Sequence, residues 1–167
     1  MRVLHTAIKM SLVGVITSLI ALELGLAYWL TAGIVGILSI SLTKRDSIVS
    51  SIKRLVDAIF GIMLATLMFI AFGYTFLVFS IFVFIFALAS FQLKIQEGIV
   101  LSLVLVSHLL LEEAFNFNMI GNELAILFIA VGIAMIFSII YPQSTEKVLD
   151  KHVASIDQLI RDHLFML

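Results

Sequence analysis

The chain has no cysteine, a single proline and few charged residues, only 13% of 167. The missing cysteine excludes disulfides, thiolate metal sites and a cysteine nucleophile. A formal net charge of -1 leaves no basic field for nucleic acid, and no basic-aromatic interleaving suggests single-strand binding. No nucleotide-binding glycine loop, nucleophile elbow or paired-carboxylate motif occurs, so the sequence offers no catalytic residue, no metal set and no cofactor. An ATP-driven pump would need its nucleotide module from another chain. Strand-like alternation is also missing, which argues against a barrel.

What is present is apolar. Hydrophobic residues make up 62% of the chain, with 14 Phe and 7 Met, and the mean hydropathy is +1.22. Soluble domains carry roughly half apolar and about a quarter charged residues. So little charge means that much of the exterior faces lipid, and the chain reads as an all-α membrane protein.

A helix needs about 20 mostly apolar residues to cross roughly 30 Å of hydrocarbon. Six windows satisfy or approach this, at about 3–22, 26–42, 56–72, 74–92, 95–111 and 122–141. The first resembles a signal peptide, but Lys9 interrupts it and further spans follow, so it is read as retained. Glu23-Leu24-Gly25 turns the chain between spans 1 and 2, Phe72-Gly73-Tyr74 makes a tight hairpin between spans 3 and 4, and Pro142 closes span 6. Residues 1–142 thus form a six-span domain. Residues 143–167 follow it.

Lys and Arg lie in the N-terminus (Arg2), loop 2–3 (Lys44, Arg45, Lys53, Arg54), loop 4–5 (Lys94) and the tail (Lys147, Lys151, Arg161). Loops 1–2, 3–4 and 5–6 hold none, only Glu23, Glu112, Glu113 and Glu123. An N-in, C-in plasma-membrane topology accounts for every basic residue, Lys9 lying near the inner end of span 1. Loop 2–3 carries Ile48, Ile52, Leu55 and Ile59 at helical spacing, with Asp46 or Ser47 placed to cap. It is expected to be an amphipathic helix running into span 3, with Lys53 and Asp57 spaced to pair and Arg54 lacking a local partner.

Small residues let membrane helices approach: Ser11, Gly14, Ser18 and Ala21 in span 1; Ala32, Gly36 and Ser39 in span 2; Gly61 and Ala65 in span 3; Ala130, Ala134 and Ser138 in span 6. Those four spans are expected to form the tight core. Phenylalanine-rich span 4 is expected at the lipid boundary or a protomer interface. In the tail, Leu149, Val153, Ile156, Ile160 and Leu164 share one face of an amphipathic cytoplasmic helix that needs a partner. It ends on "DHLFML" without a stop signal, which suggests the start of a further cytoplasmic domain.

Lys9 is an ionisable residue inside a span, hence a candidate anion contact, although its stem is long enough to snorkel. Arg54, with Lys44, Arg45 and Lys53 near it, could form the cytoplasmic mouth of an anion path, because guanidinium binds carboxylate bidentately. The simpler role for these cations is topology and contact with lipid phosphate. His108 and Glu112 lack the spacing and third ligand of a zincin. His108 is expected to be a hydrogen-bonded helix contact, or part of an outward polar funnel with Glu112 and Glu113.

The run "HTAIKMSLVGVITSLIALELGLAYWLTAGIVGILSISLTKRDSIVSSIKRLVDAIFG" resembles the N-terminal membrane module of the aromatic acid exporter family, related to fusaric-acid-resistance-type proteins. The residues that carry it are Thr6 and Lys9 in span 1, the Leu24-Gly25-Leu26 turn, span 2 ending in Thr43, Ser47 opening the loop helix, then Arg54 and Gly61. Two departures are visible. Asp57 stands where the family commonly has Gly, and at most the first helix of the family's cytoplasmic domain is present. The resemblance implies six-span modules working in pairs, here as a homodimer, with organic anions as cargo.

The function expected is export of organic carboxylate anions, aromatic ones included, with Arg54 and Lys9 as anion contacts and Lys44, Arg45 and Lys53 as an electrostatic funnel. The alternative is a membrane-embedded interaction or regulatory module, its basic loop holding anionic lipid and its tail recruiting a partner.

Overall fold

The computed structural model describes residues 2–40, 44–113, 116–140 and Ile156. Six α-helices follow one another: α1 (Arg2–Glu23), α2 (Trp29–Leu38), α3 (Lys44–Phe72), α4 (Phe76–Leu93), α5 (Ile99–Glu112) and α6 (Phe117–Ile140), with a 3₁₀ turn (Gln96–Gly98) leading into α5. No strand occurs among the described residues.

The turns fall where glycine allows a left-handed backbone, Gly25 at φ 67° after α1 and Gly73 at φ 90° after α3. Thr75 then caps α4, its hydroxyl accepting the Val78 N–H at 3.3 Å. Asn116 does the same for α6 through the Asn118 N–H at 2.9 Å, so α6 begins earlier than the apolar window at 122.

Four helical segments are long and apolar enough to cross a membrane: Leu4–Glu23, Ile48–Phe72, Phe76–Leu93 and Phe117–Ile140. The windows expected as spans 2 and 5 are helical only over 10 and 14 residues, lengths of about 15 and 21 Å at 1.5 Å per residue. Span 2 is shortened at both ends, and its entry is held in another conformation. Tyr28 is left-handed at φ 57°, and the Asn122 side chain takes both the Ala27 N–H (2.8 Å) and the Ala27 carbonyl (3.1 Å).

α6 is the central helix, packing against α1, α2, α3 and α5. α1 lies on α2 and α6, while α3 lies on α4, α5, α6 and the 3₁₀ turn. The α1–α2 crossing depends on small residues: a Cβ on Gly33 would stand 2.7 Å from the Gly14 carbonyl oxygen, and one on Gly36 would stand 2.9 Å from Thr17 Oγ1. Span 4 lies at the edge of the bundle, against α3, α5 and the 3₁₀ turn, and its opposite faces differ. Phe82 and Phe86 are fully buried and stacked, with ring centroids 5.3 Å apart, whereas Phe76, Phe84 and Phe91 are exposed. Gly61 on α3 makes that burial possible, since a Cβ there would fall 3.0 Å from Phe86 Cζ.

α3 is one continuous helix from the basic loop into the bundle, as the loop periodicity suggested. Its buried face is not the Ile48/Ile52 stripe, which is exposed, but Ser51, Asp57, Ala58, Gly61, Ile62 and Ala65. The tail helix expected over residues 143–167 lies outside the described residues, Ile156 excepted.

Candidate functional site

Polar residues collect at the two ends of the bundle, and the ends differ in charge. Lys53 meets Glu97 at 3.5 Å, which brings the start of α3 and the α4–α5 connection to one end. Tyr28 meets Glu112, and Ala27 meets Asn122, which brings the α1–α2 and α5–α6 connections to the other. Among the described residues Lys53, Arg54 and Lys94 thus share one end, as the loop charges implied, and Glu23, Glu112, Glu113 and Glu123 lie toward the other.

At the basic end the organising residue is Arg54. It is half-buried beside the 3₁₀ turn, and its backbone carbonyl lies so close to Gly98 that a Cβ there would approach it to 2.9 Å. Among the described residues, Arg54 Nε and Nη1 are buried without a hydrogen-bond partner, and so is Ser51 Oγ one turn earlier on α3. Ser51 is a residue that sequence reasoning passed over; its signal was its position three before Arg54, on the same side of a helix. The expected Lys53–Asp57 pair does not form, because Lys53 turns to Glu97 and Asp57 turns inward. Asp57 is 0% exposed and accepts the Ser90 hydroxyl at 2.6 Å through Oδ1. Its Oδ2 has no well-aligned partner and sits where a Cβ on Gly98 would come within 2.9 Å. Asp57 therefore binds α4 to α3 and leaves the Arg54 guanidinium unneutralised by it.

Lys9 is buried against the bundle, 5% exposed. It stands on α1, which does not pack against α3 among the described residues; α6 lies against both, and Lys9 and Arg54 are on helices separated by it. Lys44 and Arg45 begin α3, and their side chains lie outside the described residues.

At the acidic end three helices converge on His108. Its Nδ1 lies 3.0 Å from Glu123 Oε2 on α6, and its Nε2 lies 3.3 Å from Thr31 Oγ1 on α2. Tyr28 stacks on the imidazole with centroids 4.0 Å apart and planes 9° from parallel, and gives its hydroxyl proton to Glu112 Oε1 at 2.7 Å. That bond, then desolvation, then the negative charges of Glu112 and Glu123 push the Tyr28 phenol above its ordinary value of 10.0. Above this floor opens a cleft of about 350 Å³, lined by Tyr28, Glu112, Asn116, Asn118, Met119 and Asn122.

His108 is thus the hydrogen-bonded helix contact that was one of its two expected roles. Glu123, counted with the charges of loop 5–6 at the edge of span 6, is 0% exposed inside α6. The reason is the Asn116 cap, which starts α6 about a turn and a half earlier and carries Glu123 into the bundle. The signal was the Asn116-x-Asn118 pair ahead of an apolar run.

No solved structure matches this chain. It is 29% identical over 148 residues to the uncharacterized protein YqjA of Bacillus subtilis (strain 168), an alignment covering 89% of this chain and 45% of that protein. The chain therefore spans about half the length of that relative. The sequence model described as "Aromatic acid exporter family member 1" matches residues 1–140, the whole of the helical bundle. A helical membrane module carrying these matched residues over its full length belongs to the aromatic acid exporter family.

Proposed function

We propose that this module exports organic carboxylate anions, aromatic ones included, across the plasma membrane as a homodimer, with its basic end inside. The observation that carries this reading is Arg54, whose Nε and Nη1 are buried without a hydrogen-bond partner among the described residues. An unpaired buried donor costs roughly 1–3 kcal/mol, and more when charged. A carboxylate entering from the cytoplasm would satisfy it, since guanidinium offers two parallel N–H bonds to that group. The Ser51 hydroxyl on the same side of α3 would add a third donor. Lys53, Lys44 and Arg45 would raise the local anion concentration, although Lys53 shares its charge with Glu97. Lys9 would act on a separate face, behind α6. Export of an anion from a negative interior is downhill by about 2.3 kcal/mol per charge per 100 mV.

The test is hydroxybenzoate efflux from proteoliposomes containing the wild-type chain, R54A or R54K at equal density. The wild type should show saturable flux. Charge-assisted hydrogen bonds contribute about 1.5–3 kcal/mol, so R54A should lose roughly 10- to 100-fold, with R54K between. Equal flux in wild type and R54A would sink the assignment of Arg54. No flux from any of them would favour the interaction module anchored by its basic loop.

A further inference from the structure

The acidic end holds a buried titratable pair that anion binding at Arg54 does not use. We propose that His108 and Glu123 form a proton-binding site that couples export to protons arriving from the outer side. This rests on the exporter reading and on the basic end being inside.

The geometry supplies what a proton site needs. Glu123 Oε2 faces His108 Nδ1 at 3.0 Å, and its other oxygen lies 3.3 Å from Asn122 Nδ2. The carboxylate is therefore held at both oxygens. On the far side of the ring, Nε2 faces the Thr31 hydroxyl at 3.3 Å. A hydroxyl both gives and accepts, so Thr31 can donate to neutral imidazole or accept from imidazolium by rotating one bond. Both protonation states are hydrogen-bonded without moving heavy atoms.

With imidazole neutral and carboxylate ionised, the buried pair carries one negative charge; one added proton makes it an ion pair of zero net charge, and the proton belongs to the pair. The groups around the pair are Tyr28 just before α2 and Thr31 within it, Asn122 beside Glu123 on α6, and Glu112 one turn on in α5, already bonded to Tyr28. α2 carries no charged residue, and α3 carries none beyond Asp57. Among the described residues no Lys or Arg pairs with Glu123.

Access is built in as well. Tyr28 and Asn122 each touch the pair and each line the outer cleft, so water in the cleft is one side chain away. Tyr28 is held there in a left-handed backbone conformation uncommon for a residue other than glycine, a constraint often found where function fixes a side chain. The same side chains tie α2, α5 and α6 together, so a change of charge on the pair acts on three helices at once. That is the physical link to a carrier that must rearrange.

Two measurements test this. The chain has one tryptophan, Trp29, adjacent to Tyr28, so its emission reports on this site without reference to transport. Emission of the reconstituted wild type should titrate with external pH, and the titration should vanish in H108Q and T31V should preserve only part of its amplitude. Efflux should be accelerated by acid outside; with one proton exchanged per anion, each pH unit of gradient raises the limiting concentration ratio about tenfold. In E123Q the ratio of flux with and without the gradient should fall to about one, whatever its absolute rate. Persistence of the titration in folded H108Q, or of the gradient effect in folded E123Q, overturns the proposal. A wild type that titrates at Trp29 but moves no anion overturns the exporter reading and the coupling with it, while establishing the pair as a proton site.

Discussion

Gly98 and Asp57 show how much at this fold's basic end depends on single side chains. Asp57 is fully buried, one oxygen satisfied by Ser90 and the other against the Gly98 backbone. A methyl group at Gly98 would meet the Arg54 carbonyl and Asp57 Oδ2 at 2.9 Å each, and backbone cannot yield as a flexible side-chain tip can. G98A is therefore expected to lose about 1–3 kcal/mol, read as an earlier unfolding transition in detergent. Because the displaced backbone belongs to Arg54, anion flux should fall with it. The sequence placed a charged pair at Lys53 and Asp57 by helical spacing alone. Spacing says which side chains can meet, and here two residues from the α4–α5 region, Ser90 and Glu97, offered closer partners.

Elements meet through two kinds of contact. α1 and α2 approach through glycine, which was legible as stripes of small residues. α2, α5 and α6 are tied by polar groups that share no sequence spacing: Tyr28 and Glu112, His108 and Glu123, Asn122 and the Ala27 backbone. The Tyr28 phenol is raised above its ordinary value chiefly by its bond to Glu112. The sign follows: the bond contributes fully below the ordinary value of 10.0 and is lost as pH rises through the higher folded value. One tyrosine should therefore ionise late when tyrosinate absorbance is followed, and E112Q should remove that late step. Asn122 helps to fix where α2 begins, because an amide that occupies both backbone groups of Ala27 replaces the bonds another helical turn would have made.

The whole molecule is a bundle with a basic end and an acidic end, connected by helices of which four can cross the hydrocarbon. Its orientation can be measured directly, since the chain has no cysteine of its own. If the basic end is inside, a cysteine at Lys94 should react only with permeant maleimide in intact cells, and one at Glu113 should react with an impermeant reagent added outside. The opposite pattern would reverse the module and place Arg54 at the outer face.

Composition by itself determined that this is a helical membrane protein, because so little charge cannot cover a water-exposed surface. Loop chemistry determined the turns at Gly25 and Gly73 and the segregation of Lys and Arg to one end. Those are properties of local runs, and a sequence displays local runs openly. The tertiary structure decided which polar residues are buried. Glu123 reads as a loop acid until α6 is seen to begin at Phe117, and Ser51 reads as one serine among several until its face of α3 is covered. Burial is a property of neighbours distant in the chain, so the His108–Glu123 pair and the surroundings of Arg54 became visible only once six helices were in place.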